Sequence, residues 1–282
     1  MNSTVVIIGG GAIGKLIART FAREASVTIV DHQPIDPIDG VEFVQGEASE
    51  LDLALVRKFD WVCLCLPESV ALNALKQISC VLRSDQLLVD TLSVKTEYFE
   101  LLNELEPASE ILSINPLFAP DLGWQGNNLV YLSRTPARHT ELFLQKVESL
   151  GAVMTELQPD QHDKTMASLQ CATHVATLAF ALTLAQSGYD ASVTKNLWTP
   201  PHKMLLSMVA RMGELDSEVY RDIQHGNPRA ADTREMFVES IKRVAISCDS
   251  PKAFADLLTE AQSILGGSSA ELRELFQKTS KQ

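Results

Sequence analysis

Basic residues are scarce in this chain: 24 lysines and arginines stand against 36 aspartates and glutamates, a formal net charge of −12. Phosphate backbones need a basic surface, so this balance argues against nucleic acid as a partner. A small anionic substrate stays admissible, because one pocket can be locally basic. No apolar run approaches the length of a membrane span, so no membrane partner is expected. No charged-then-apolar segment precedes the first strand, and a cytoplasmic protein is expected. The 5 cysteines include no Cys-x-x-Cys and no Cys/His cluster at zinc spacing, so no metal site is expected. Cys63, Cys65, Cys80, Cys171 and Cys248 read as small core or surface residues. Internal repeats and low-complexity segments are also missing. The 282 residues suffice for two domains, each with its own core.

What is present begins at the N-terminus. Val5-Val6-Ile7-Ile8 reads as a short buried strand running into Gly9-Gly10-Gly11-Ala12-Ile13-Gly14. Gly9, Gly11 and Gly14 fall in the three places of Gly-x-Gly-x-x-Gly. The first glycine turns the chain sharply, the second lets backbone N–H groups close on a pyrophosphate, and the third lets the next helix pack on the strand. Ile13, Ile17 and Phe21 continue at helical spacing, and the positive end of that helix faces the phosphate charge. A second strand, Val27-Thr28-Ile29-Val30, ends in Asp31. An acid there accepts hydrogen bonds from a ribose diol and repels a 2′-phosphate, which points to NAD over NADP. Ala12 and Ile13, and Leu66-Pro67 at the end of a later apolar run, join the glycines and Asp31 as candidate cofactor contacts.

Further strands are expected at Val41–Val44, 60–66, Gln86–Thr91, Ile111–Ile114, Leu129–Leu132 and Val153–Leu157. Helices lie between them, one capped by Ser69. The fold class is α/β: an N-terminal Rossmann-type doubly wound sheet, with strands near its end that need not be parallel. Past Pro159 no convincing strand remains. Apolar residues recur at three and four, as in Met166, Leu169, Thr173, Thr177, Phe180 and Leu184. Breaks fall at Gly188, Pro200-Pro201, Asn227-Pro228 and Asp249-Ser250-Pro251. The expected domains are 1–157, dinucleotide-binding, and 158–282, all-helical, for substrate binding and dimerisation.

Three stretches go beyond layout: Asp90-Thr91-Leu92-Ser93-Val94-Lys95, Asn115-Pro116-Leu117-Phe118-Ala119-Pro120, and Gln161-His162-Asp163-Lys164 through His174. In this order after the glycine motif they resemble prephenate dehydrogenase. The resemblance covers nearly the whole chain, including Met208-Val209-Ala210-Arg211 and Tyr220-Arg221-Asp222-Ile223. It looks closest to the dehydrogenase half of bifunctional enteric-type enzymes, without their fused mutase. It implies a homodimer and an NAD-dependent decarboxylating oxidation of a prephenate-type ring. In that family a histidine takes the hydroxyl proton, a serine supports it, an arginine binds the ring carboxylate, and a later histidine shapes the site. By resemblance Ser93, Lys95 and His174 match, which implies a catalytic place for Ser93 and His174 and a substrate contact for Lys95.

The match breaks at the chemistry. Asn115 stands in the histidine position and Ala119 in the glycine position of that motif. Lys203 takes the arginine position, with His202 and Arg211 as rivals for the same role. A carboxamide cannot act as a base near neutral pH. Lysine keeps the charge but loses the bidentate fork. Both changes suit a ring that carries an amine, 4-amino-4-deoxyprephenate, a precursor of 4-aminophenylalanine in secondary metabolism. An amine lone pair expels hydride directly, so a base matters less, and the Asn115 carbonyl is free to orient an N–H. The alternatives are an ordinary prephenate or arogenate dehydrogenase of tyrosine biosynthesis, with His202 or water taking the proton, and a non-catalytic NAD-binding protein. Read without the family, Asn115 is a loop asparagine, Ser93 a helix cap, Lys95 a solvated lysine, His174 a core or surface histidine. The His162-Asp163 pair reads as a structural first-turn feature.

Overall fold

The computed structural model describes residues 3–213 and 217–279. Eight strands form one sheet: β1 (Ser3–Ile8), β2 (Ala25–Asp31), β3 (Val41–Gln45), β4 (Trp61–Leu64), β5 (Leu87–Asp90), β6 (Glu110–Pro116), β7 (Asn128–Arg134) and β8 (Val153–Glu156). Their order is β3-β2-β1-β4-β5-β6-β7-β8. All neighbours are parallel except β6 and β7. Every expected strand is present, and the one antiparallel pair lies near the end of the sheet.

Helices α1 (Ala12–Phe21), α2 (Leu53–Val56), α3 (Glu68–Ile78), α4 (Thr96–Leu105) and α5 (Arg138–Ser149) connect the strands. Val5 and Ile7 point to one face of β1 and Val6 and Ile8 to the other, so the strand feeds two separate apolar clusters. Sheets covered on both faces read as continuous apolar runs, which is why the central strands were legible. Each such Val or Ile contributes about 1.5–3 kcal/mol on burial. One expected cap is wrong. Helix α3 begins at Glu68 with Pro67 as its N-cap residue, so Ser69 lies inside its first turn.

The strand order reverses at β1 and β4. This is the switch point of a doubly wound sheet, where a ligand crevice opens at the carboxyl ends of the strands. The glycine turn leaves β1 at that point.

Beyond β8 the described residues contain no strand. They form α6 (Pro159–Met166), a π-helical turn (Ala167–Cys171), α7 (Ala172–Gln186), α8 (Ala191–Thr194), α9 (Pro200–Met212), α10 (Ser217–Gly226), α11 (Ala230–Ser247), α12 (Pro251–Ser263) and α13 (Ser269–Thr279). The expected break at Ser250-Pro251 is an N-cap serine followed by proline in the first turn. Two compact units divide at Thr165 and Met166, later than the expected 157/158. The reason is chemical: the first turn of α6 supplies His162 and Asp163 to the first unit, as shown below.

In the second unit α7 packs against α9 and α11. Its buried apolar cluster is small, formed by Cys171, Ile223 and Ala230. The stretch Pro159–Gln186 is one 28-residue helix, long and apolar enough by composition to cross a membrane. This corrects the expectation that no run approached that length. Interspersed Ser, Thr and Gln made the segment read as amphipathic, yet the Thr177 and Thr183 hydroxyls return to the helix itself, donating to the Thr173 and Ala179 carbonyls.

Candidate active site

The glycine turn has the shape a dinucleotide needs. Gly9 sits at φ +105°, and a Cβ there would lie 2.1 Å from the Cys65 carbonyl oxygen. That backbone is open only to glycine. A Cβ on Gly14 would lie 2.0 Å from the Gly9 carbonyl oxygen, so α1 packs directly on the turn. At Gly11 the opposite holds: nothing lies within 4 Å of a Cβ. Gly11 is the N-cap of α1, with no side-chain cap and no acidic residue in the first turn. Uncapped N–H groups beneath open space fit a pyrophosphate. Ala12 is exposed and Ile13 half-buried beside this space. Leu66 Cδ2 lies against Gly9, and Pro67 opens α3.

Asp31 closes β2, and its carboxylate holds the turn. Oδ2 accepts from the Gly10 amide at 2.6 Å and Oδ1 from the Gln33 amide at 2.8 Å. His32 Nδ1 lies 3.1 Å from Oδ1. The acid is therefore part of the glycine turn as well as the end of the second strand.

A second, fully buried polar network lies past β5 and β6. The loop 91–95 leaves β5 and enters α4. Lys95, at the N-cap position of α4, is 0% exposed. Its Nζ donates to Asp90 Oδ1 at 2.8 Å and to the Ile114 carbonyl at 2.9 Å. Lys95 is thus no solvated lysine, and these two bonds tie β5 to β6. Burial pulls its pKa down, against the opposing pull of Asp90.

The α4 N-terminus is capped from a distance. Asp163 Oδ2 accepts from the Thr96 amide at 2.8 Å and the Thr96 hydroxyl at 2.5 Å. Asp163 Oδ1 accepts from the Lys95 amide at 3.0 Å. Asp163 therefore does what Ser93 was weighed for, because its carboxylate meets the free N–H groups of the first turn. Burial opposes its ionisation, but the bonds from His162, Thr96 and Lys95 outweigh burial and leave its pKa lowered.

His162 is 0% exposed. Its Nδ1 lies 2.7 Å from Asp163 Oδ1, and its Nε2 lies 3.0 Å from Asn115 Nδ2. Burial lowers the His162 pKa, with the Asp163 hydrogen bond pulling the other way. Asn115 is 2% exposed, inside β6 and paired with Val130 of β7. It is no loop asparagine. Asn115, Lys95, His162 and Asp163 are brought together here. Ser93 is half-buried in the loop and makes no hydrogen bond to Asn115. The His162-Asp163 pair was weighed only as a first-turn feature. The dipeptide was visible in the sequence, but nothing local pointed it at Asn115.

The remaining candidates belong to the second unit. His174 on α7 stacks edge-on against Tyr220, with ring centroids 4.8 Å apart. Its Nδ1 is buried without a partner, and burial lowers its pKa. His202 Nε2 lies 2.8 Å from the Tyr189 hydroxyl, which accepts from Trp198 Nε1 at 2.7 Å. One His202 nitrogen is thus already engaged, which weakens it as a proton acceptor. Lys203 and Arg211 are exposed on α9. Trp124 is a packing residue: it is 5% exposed, stacks against Phe118, and donates to Thr20 Oγ1 at 2.8 Å.

Comparison with known proteins gives consistent matches. Residues 15–133 match the family described as prephenate dehydrogenase, nucleotide-binding domain, and residues 158–260 match prephenate dehydrogenase, dimerization domain. The chain is 33% identical over 277 residues to 4-amino-4-deoxyprephenate dehydrogenase of Streptomyces pristinaespiralis, covering 96% of this chain and 94% of that one. It is 24% identical to a probable arogenate/prephenate dehydrogenase of Methanocaldococcus jannaschii, covering 94% of this chain and 61% of that one. A crystal structure of prephenate dehydrogenase from A. aeolicus, in complex with hydroxyphenyl propionate and NAD+, superposes with a TM-score of 0.70 at 18% identity, over 94% of this chain and 96% of that one.

Proposed function

The chain belongs to the prephenate dehydrogenase family, and on that premise we propose that it oxidises and decarboxylates 4-amino-4-deoxyprephenate with NAD. The observation that carries this reading is Asn115, a buried carboxamide in the place of the family's base, held by His162. The likeness to the Streptomyces enzyme supports it.

From the neutral amine the hydride step needs no base. The hydrogen on the amine-bearing ring carbon leaves as hydride, and the nitrogen lone pair forms a C=N bond. The carbon–carbon bond to the ring carboxylate then breaks. Its electron pair enters the ring, carbon dioxide departs, and a neutral arylamine results; the proton that the substrate's ammonium form carries is lost to solvent before the hydride step. Bound NAD supplies the acceptor for the hydride. Asn115 Oδ1 accepts an N–H of the amine and aims the lone pair at the ring. The glycine turn and the α1 N-terminus hold the pyrophosphate. Asp31, at the end of β2, binds the ribose diol and disfavours a 2′-phosphate. Lys203 is assigned a substrate carboxylate, with Arg211 and His202 as the next groups to test. His174 and Ser93 are assigned to shape the ring site, and Lys95 acts from beneath by fixing β5 to β6.

The working form is a homodimer. The second unit buries few apolar residues in one chain, while Leu182, Met236, Ile241, Ile246 and Leu275 stand exposed on its helices. Apolar patches of this kind mark an interface, and a two-fold dimer is the commonest solution. The long helix Pro159–Gln186 is read as part of that interface, and the protein as cytoplasmic.

A substrate panel tests the activity. Formation of NADH is followed with prephenate, arogenate and 4-amino-4-deoxyprephenate. The highest kcat/KM on the amino substrate is expected. Brisk turnover of prephenate with none of the amino compound would refute the substrate and leave the reaction class standing.

A further inference from the structure

The polar network around Asn115 contains a chain of forced choices. Asp163 accepts four hydrogen-bond contacts from the Lys95 amide, the Thr96 amide and the Thr96 hydroxyl, in addition to facing His162. A carboxylate in that setting only accepts. His162 Nδ1, 2.7 Å away, must therefore carry the proton. A neutral imidazole has one donor and one acceptor, so Nε2 is left with its lone pair. The group 3.0 Å from Nε2 must then donate, and that group is the Asn115 amide nitrogen. The carboxamide is turned so that Oδ1 faces away from His162. Among the described residues Oδ1 accepts no hydrogen bond.

We propose that Asp163 and His162 are positioning residues that lock the Asn115 carboxamide in one sense, so the site presents an acceptor and selects a ring whose reacting carbon bears a hydrogen-bond donor. This rests on the reading that Asn115 faces the reacting ring carbon. The relay moves no proton. It stops a symmetric-looking amide from turning its NH2 toward the substrate. A free asparagine pays no large penalty for that turn; one paired with a fixed acceptor loses a buried hydrogen bond. The device also combines two roles at Asp163, which caps α4 and sets the tautomer of His162 with the same carboxylate.

The tautomer is read directly. Protein labelled with 15N-histidine, in its dimeric form and without substrate, is examined by long-range 15N–1H NMR at neutral pH. The His162 resonance is assigned by its loss in His162→Phe or its shift in Asn115→Asp. A neutral ring protonated on Nδ1 is expected, the minor tautomer of free histidine. A ring protonated on Nε2, or an imidazolium, would overturn the proposal. A kinetic cycle supplies the second readout, using 4-amino-4-deoxyprephenate, or prephenate if the panel selects it. His162→Phe and Asn115→Ala should each lower kcat about tenfold, the scale of one hydrogen bond, with NAD affinity unchanged. The double variant should be no worse than the poorer single one. Losses that multiply would show that His162 does not act through Asn115. Because the tautomer is measured without substrate, failure of the substrate assignment and failure of the relay are separate results.

Discussion

Asn115 Nδ2 and His162 Nε2 lie 3.0 Å apart although the two residues are separated by 47 positions in the chain. One comes from the sixth strand and the other from the first turn of the helix that follows the sheet. Their pairing turns a departure from the family's motif into a defined acceptor.

Replacement at Asn115 separates the chemistries. Asn115→Ala should lower kcat/KM on the amino substrate by about 1–2 kcal/mol of transition-state stabilisation. Asn115→His should introduce oxidation of prephenate. The new imidazole would donate one N–H to His162 Nε2 and keep its other nitrogen for the hydroxyl proton, a contribution of about 10²–10⁴-fold. Steady-state kinetics on both substrates checks this; no prephenate turnover would mean that further contacts are missing.

The three glycines should respond differently to alanine. Gly9→Ala and Gly14→Ala place a Cβ 2.1 Å and 2.0 Å from backbone oxygens. Both should destabilise the first unit by about 3 kcal/mol or more. Gly11→Ala meets nothing within 4 Å, so thermal stability should hold while the Kd for NAD rises about tenfold. Calorimetry paired with titration of NAD distinguishes the two behaviours.

Asp31→Ser should relax the preference for NAD over NADP and also weaken both cofactors. The second effect follows from the 2.6 Å bond that Asp31 accepts from the Gly10 amide, which organises the turn. Measured Kd values for the two cofactors decide the point. Equal binding of NADP by the unmodified protein would sink the assignment.

Lys203→Ala should raise KM for the ring substrate several-fold with NAD affinity unchanged. Lys203→Arg should restore some use of prephenate through the bidentate fork. Unaltered kinetics in Lys203→Ala would move attention to Arg211 and His202.

Stability should fall on the acid side. The folded pKa of His162 lies below its ordinary 6.5, chiefly through burial. Protons therefore bind the unfolded chain better, and the stability present above 6.5 is lost as pH falls toward the folded value. His174 adds to this in the same sense. Asp163 is lowered from 3.8, so its contribution is lost further down, as pH falls through its folded value. The groups facing His162 are Asp163, Lys95 and Asp90, and the Lys95–Asp90 pair is buried as a unit. A Tm series should decline below about pH 6.5, the ordinary histidine value, and decline less in His162→Phe relative to its own neutral value.

The sequence by itself determined the sheet, the glycine turn and the change to helices. Strands buried on both faces are continuous apolar runs, and the spacing of Gly9, Gly11 and Gly14 is written within six residues of chain. It also showed the departures at Asn115 and Lys203, because those are identities in a register. What the tertiary structure decided was the meaning of the polar residues. Lys95 read as a substrate contact by resemblance, and as solvated without it, until its ammonium met Asp90 and the Ile114 carbonyl. Ser93 read as a catalytic-cleft serine or a cap, and Asp163 takes the cap's place. His162 read as a helix-start histidine until its ring reached Asn115. The physical reason is range. Apolar periodicity repeats every few residues and is written along the chain, whereas a hydrogen-bond direction is fixed by a partner within about 3 Å that any part of the chain can supply.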